Sequence, residues 1–183
     1  MSTQTTMGTG NGSIESVYPI IRNKIVTANL AAKAVTREKL AVSAPVVLSA
    51  ATVTITAETH ANLPLVLTRA AGVVATLPKA SGSGNSYIFY VDTAVTTNSY
   101  KIQVANATDV INGLAFGLDG DGVPANAWSS GTTGDTVTMD GSTQGGLRGD
   151  SVEILDVAAG LFVVKAYLTQ SGTEATPFSA AVS

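Results

Sequence analysis

His60 is the chain's one histidine, so any Ser/His/Asp relay would have to pass through it. It sits in TAETHANLP, between apolar runs, with no Gly-x-Ser-x-Gly elbow nearby to present a nucleophile. That context reads as a surface or loop histidine. Asp119 and Asp121, in LDGDGV, resemble the start of a calcium loop, where alternate carboxylates face one cation. The pattern stops at Val123; a weak site would need Asp135 or Asp140 to complete it, and an Asp-Gly turn is the simpler reading. Glycoside hydrolysis needs two carboxylates astride a sugar. Acids are plentiful, but one Trp and five Tyr, unclustered beyond Tyr87 and Tyr90, make a poor stacking platform. Arg148-Gly149-Asp150 spells the integrin tripeptide, although Gly145, Gly146 and Gly149 account for it as a tight turn before a strand. Without Cys there is no disulfide and no thiolate metal site. GSGNSY and GTTGDT lack the Lys and following helix of a phosphate loop. These residues assign no catalytic group, metal or cofactor, and point away from an enzyme.

Composition narrows the class further. Charged residues are 13% of the 183, about half of the ~25% usual in soluble domains. Thr, Ser, Gly, Ala and Val dominate, a mix that suits strands and short turns whose weakly charged surface is covered by other copies. The net charge of −3 is unevenly spread. Between Ile14 and Ala41 there are five basic and two acidic residues, net +3; from Val42 onward there are five and eleven, net −6. A basic arm on an acidic body suggests docking of the arm on an acidic surface. The acidic body repels phosphate, which argues against nucleic acid, and no apolar run approaches the ~20 residues of a membrane helix.

The elements that would carry these residues follow from periodicity. Residues 1–13 read as a flexible polar tail without the basic and apolar regions of a secretory signal. Residues 14–45 form an arm, within which TANLAAKAVTREKLA fits a short helix capped by Thr27. Residues 46–170 read as nine or ten short strands without an internal helix, and residues 171–183 as a polar tail. Gly72–Val104 gives the clearest signal: three apolar runs with period-two alternation, broken by Gly/Ser/Asn clusters, as in a half-buried antiparallel sheet. The expected fold is all-β, a β-sandwich or jelly-roll-like antiparallel body with an extended N-terminal arm. Two Gly-rich loops, Leu118–Thr136 with Trp128 and Asp140–Asp150, would project from it.

The opening of that segment follows the form Gly-x-Val-x-x-Leu-Pro-x-Ala-x-Gly-x-Gly, from Gly72 to Gly84, before an aromatic strand and Thr96-Thr97-Asn98-Ser99-Tyr100. It resembles a module of bacteriophage virion surface proteins, notably capsid decoration (cement, or head-stabilising) proteins and related head or tail fibre modules. GDSVEILDVAAGLFVVKAY resembles the closing hairpin of such modules, and VTANLAAKAVTREKLA the segment before them. The resemblance implies a non-enzymatic homotrimer on the outer surface of a phage head, bound to the shell of major capsid protein, with no active-site residues. The arm would then reach the shell or a neighbouring copy through Ile20, Ile21, Ile25, Val26 and Leu30, steered by Arg22 and Lys24. The alternative is a fibre or receptor-binding domain that contacts a host glycan through the two loops. The chain is short for such a fibre and lacks heptads or repeated β-helical turns.

Overall fold

A computed structural model describes residues 44–119 and 125–182. Tail residues 1–13, the arm and its seven contact residues, and Asp121 lie outside the described residues.

Twelve strands and one turn of helix follow in order: β1 (Val46–Leu48), β2 (Thr52–Thr54), α1 (Ala57–His60), β3 (Pro64–Leu67), β4 (Val74–Thr76), β5 (Ser86–Val91), β6 (Tyr100–Gln103), β7 (Val110–Asp119), β8 (Asn126–Ser129), β9 (Thr136–Met139), β10 (Ser151–Ala158), β11 (Leu161–Gln170) and β12 (Phe178–Ser179). They form a seven-stranded sheet, β1-β3-β5-β10-β11-β7-β8, and a five-stranded sheet, β12-β9-β6-β4-β2. The body is therefore an all-β sandwich, as the alternation implies.

The sheets are mixed, which corrects the expectation of an antiparallel body. From β1 to β6 the chain changes sheet at every step, odd strands in the large sheet and even strands in the small one. Each return to a sheet is made in the same direction, so β1, β3 and β5 are parallel neighbours, as are β2, β4 and β6. The three runs of Gly72–Val104 thus do not form one sheet: β5 lies in the large sheet, while β4 and β6 are parallel neighbours in the small one. Period-two alternation reports that one face of a strand is buried; it carries no information about which strand lies alongside. Antiparallel pairing enters at the hairpins β7–β8 and β10–β11 and where the later strands join the parallel sets, β10 against β5, β9 against β6 and β12 against β9. The strand pair β7 and β11 is parallel over its full length, Val110 opposite Leu161 through Asp119 opposite Gln170.

The core is two facing rows in register. Across the large sheet run Val46, Leu65, Phe89, Val152, Ala166, Ala115 and Trp128. Val53, Ala75, Ile102, Val137 and Phe178 run across the small sheet. Phe89, Leu65 and Ile102 are fully buried, and each such side chain contributes roughly 1.5–3 kcal/mol of transfer free energy.

Three local expectations also change. An internal helix exists, the single turn α1 capped by Thr56, whose hydroxyl accepts from the Thr59 amide. The expected loop 118–136 contains β8, and Trp128 packs against the core. The expected polar C-terminal tail contributes β12, with Phe178 buried against β9.

Gly113, on β7, holds φ at +153°, and a Cβ there would run into the Val164 carbonyl oxygen of β11. A side chain forced into this backbone region costs about 1–3 kcal/mol before the clash is counted. Gly113→Ala is therefore expected to lower the urea midpoint by at least that equivalent with an unchanged slope, whereas Gly131→Ala, with open space around its Cβ position, is expected to show the backbone cost alone.

Candidate functional site

The polar residues singled out by sequence are used to hold the sandwich together. His60 is buried rather than on the surface, and its Nδ1 accepts from the Thr56 amide at 3.1 Å, closing α1. Asp150, the acid of the Arg-Gly-Asp triplet, is 2% exposed and accepts from the amides of Gly146, Leu147 and Thr169. Arg148 points outward and pairs with Asp92 at 3.0 Å. With its acid turned inward, the triplet is a turn, not a ligand motif.

Asp135 and Asp140, which would have completed a calcium loop, are occupied elsewhere. Asp135 is buried and accepts from Ala181 and Val182, pinning the C-terminal segment to β9. Asp140 accepts from the amides of Ser142 and Gln144 and from the Thr143 hydroxyl within its own turn. Among the described residues no group of three or more His, Asp or Glu is placed to hold a metal. Nor is Trp128 a ring offered to a sugar: its Nε1 donates to Oε1 of the fully buried Gln170 at 3.2 Å. Gln170 Nε2 donates in turn to the carbonyls of Thr143 and Ala175, so one side chain ties β8, the Asp140–Asp150 turn and the tail together.

Asp156 is the densest of these anchors. Its carboxylate accepts from the amides of Ser81, Gly82 and Ser83 and from both serine hydroxyls, at 2.7 to 3.2 Å. The Gly/Ser cluster that looked like a plain turn is thus wrapped around an acid far away in the chain. Burial raises the Asp156 pKa, but the bonds from Ser83, Gly82 and Ser81 outweigh it and leave the group below its ordinary value. Asp140 shows the same balance, with burial outweighed by bonds from Gln144, Thr143 and Ser142. At Asp150 burial wins over the amides of Gly146, Thr169 and Leu147, and the pKa is raised.

What remains unexplained by internal packing is a surface. The outward row of the large sheet reads Val47, Val66, Tyr90, Ser151, Tyr167 and Phe116 in register. The next row places Ile88, Glu153, Lys165 and Leu114 side by side. Tyr167 is 62% exposed, Leu114 47% and Phe116 44%, with Leu118 at 63% further along β7. The Phe116 and Tyr167 rings stack, centroids 6.0 Å apart and planes 18° from parallel. Beside them lies a shallow groove of about 450 Å³, lined by Leu114, Phe116, Val163, Lys165 and Tyr167. Five strand spacings of ~4.8 Å separate β1 from β7, so the first row, apolar except at Ser151, spans roughly 24 Å.

The small sheet supplies an internal control. Its outward rows are Thr52, Val74, Lys101 and Thr138, then Thr54, Thr76, Gln103 and Ser179, with Thr136 buried between the last two. A threonine-rich face suits water. A face bearing Val, Tyr, Phe, Leu and Ile suits a covering surface, because large contiguous apolar patches on soluble proteins mark interaction sites. The second concavity, near Gly72 and Ser99, is more polar, and its Arg69 donates to the Ala71 and Gly72 carbonyls.

Sequence reasoning missed the large sheet's outer face, although a signal was present. Ile88-Phe89-Tyr90 and Leu161-Phe162-Val163-Val164 are continuous apolar runs, which is how a strand covered on both faces reads. Scanned against protein-family models, curated proteins and solved structures, the chain gives no match.

The sign of the acid response follows from these pKa directions. Asp156 and Asp140 stabilise the fold above the ordinary carboxylate pKa of ~3.9, and that stability drains as pH falls through their lowered folded values. Asp150 acts in the opposite sense, since a raised folded pKa costs stability once the group ionises. Asp156→Ala is expected to cost about 2–3 kcal/mol at pH 7, the scale for losing bonds to a charged acceptor. In urea denaturation the gap to the parent protein should narrow steadily below about pH 4 as the parent's own carboxylate protonates; a gap constant from pH 7 to pH 2 would contradict this assignment.

Proposed function

We propose that the chain is a non-enzymatic structural protein that works by assembly: a phage capsid decoration protein that binds the outer capsid surface as a trimer and stabilises the shell. The observation that carries the assembly reading is the contrast between the two sheet faces, one threonine-rich and one apolar. The decoration reading adds the resemblance of Gly72–Val104 and of the closing hairpin β10–β11 to virion surface modules.

The mechanism is mass action. A protein that binds the assembled shell and not its dissociated subunits stabilises the shell by its binding free energy, RT ln(1 + [L]/Kd), about 2.7 kcal/mol at a hundredfold excess over Kd. Three linked copies raise the effective affinity without a new contact, provided their geometry matches the lattice. In this reading the body supplies the trimer and the arm supplies attachment, through Ile20, Ile21, Ile25, Val26 and Leu30, with Arg22 and Lys24 steering the encounter. The polar acidic balance of the body is a weaker guide to where the arm docks than its count of eleven acids suggests, because Asp109, Asp135, Asp150 and Asp156 are buried as turn anchors.

The alternative is a fibre or receptor-binding domain that contacts a host glycan through the loops Leu118–Thr136 and Asp140–Asp150; within them Trp128 Nε1 and the Thr143 carbonyl already bond to Gln170.

Removing residues 1–41 is expected to leave the melting transition of the body in place and to abolish co-sedimentation with undecorated capsids. Undiminished co-sedimentation of the shortened chain would remove the arm from the mechanism, and failure of the full chain to bind any capsid would overturn the decoration reading itself.

A further inference from the structure

We infer that the outer face of the large sheet, which carries Phe116 and Tyr167, is the surface through which copies of this chain pack on one another. This deepens the assembly reading by naming the contact, and it rests on that reading only for the number of copies.

Three features select a second copy as the occupant. First, the outward row spans five strand spacings, roughly 24 Å, and is apolar at every strand but β10, where Ser151 stands. Second, its outward rows carry one acid and one base, Glu153 and Lys165, directly opposite each other on β10 and β11. Such a face is neutral and self-complementary: a rotated copy brings the base of one chain to the acid of the next, as a symmetric contact requires. Third, the same neutrality disfavours the basic arm as the covering segment, because a segment with a net charge of +3 finds in these rows one carboxylate, Glu153, with the cationic Lys165 beside it.

The arrangement of side chains suits this role. Tyr167 and Phe116 stack on each other and present two rigid rings toward the β7 end of the row, and rigid aromatic groups lose little conformational entropy on being covered. Leu114 and Leu118 flank Phe116 along β7 at the period of two that keeps all three on one face. Gly113 and Gly117 lie on the same strand where an added Cβ would meet the Val164 carbonyl and the Gln170 side chain, so β7 packs close to β11 beneath the patch.

Sedimentation velocity over a concentration series tests the proposal on the full chain. The parent protein is expected to be a dimer or a trimer. Tyr167→Lys and Phe116→Asp, at exposed positions, are expected to sediment as monomers while keeping the parent's far-ultraviolet circular dichroism, and Thr54→Lys on the small sheet is expected to remain assembled. Glu153→Lys and Lys165→Glu, each weakened alone, are expected to associate when mixed, because the mixture restores opposite charges between chains while leaving like charges within each. A parent chain that stays monomeric at every concentration, or folded Tyr167→Lys and Phe116→Asp variants that stay assembled, would overturn the proposal. Capsid co-sedimentation separates it from the decoration reading: an assembled chain that binds no capsid contradicts decoration alone, and a monomer that binds contradicts the self-contact alone.

Discussion

Crossing from one sheet to the other at every step is the constraint on which this body depends. Six successive strands alternate between layers, so the chain must turn repeatedly over the ends of the sandwich, where the backbone leaves the hydrogen-bonded ladders. Each crossing leaves amides that need acceptors, since unpaired buried backbone groups cost about as much as a lost hydrogen bond. At the crossing from β4 to β5 aspartates distant in sequence supply them, and aspartates brace turns elsewhere in the body as well. Asp156 holds the turn between β4 and β5, Asp109 accepts from Ala80 in the same connection, Asp150 holds the turn before β10, and Asp135 holds the end of the chain. A carboxylate suits the task because it only accepts when ionised and makes bonds roughly twice as strong as neutral ones.

This use of acids changes the meaning of the composition. The body has few charges, and several are not on its surface. The surface charge is therefore a smaller exposed set, set beside a contrast between the threonine-rich face and the apolar one. The same long-range anchoring explains why the chain holds a sandwich without a disulfide. Gln170 extends the scheme with a neutral group, joining β8, the turn after β9 and the tail at one fully buried amide.

Much of the strand content was legible in the chain because one buried face imposes alternation, as at Tyr100 and Ile102 or Val152 and Ile154. Partner choice was not, because register between distant strands depends on contacts that no local period encodes. The parallel set β1, β3 and β5 is the clearest instance. The roles of Asp156 and Gln170 were equally hidden, since Asp among Val and Leu at a strand end looks the same whether it faces water or a turn seventy-odd residues earlier. His60 looked exposed because polar residues surround it, and it is buried by its bond to Thr56. Of the large sheet's apolar outer face, the doubly apolar runs in β5 and β11 carried the signal, yet which of their two faces met the core could be read only from the fold.

The central claim is that the large sheet's outer face is covered when the protein assembles and the small sheet's is not. The absence of native cysteine allows a direct measurement. A nitroxide placed at Ala127→Cys, next to Phe116 in the outward row, can be compared with one at Thr54→Cys on the small sheet. Collisional accessibility to a water-soluble relaxing agent is then followed by electron paramagnetic resonance as protein concentration rises. The account predicts that the label at position 127 loses access while the label at position 54 keeps it; equal access at both positions throughout would contradict it.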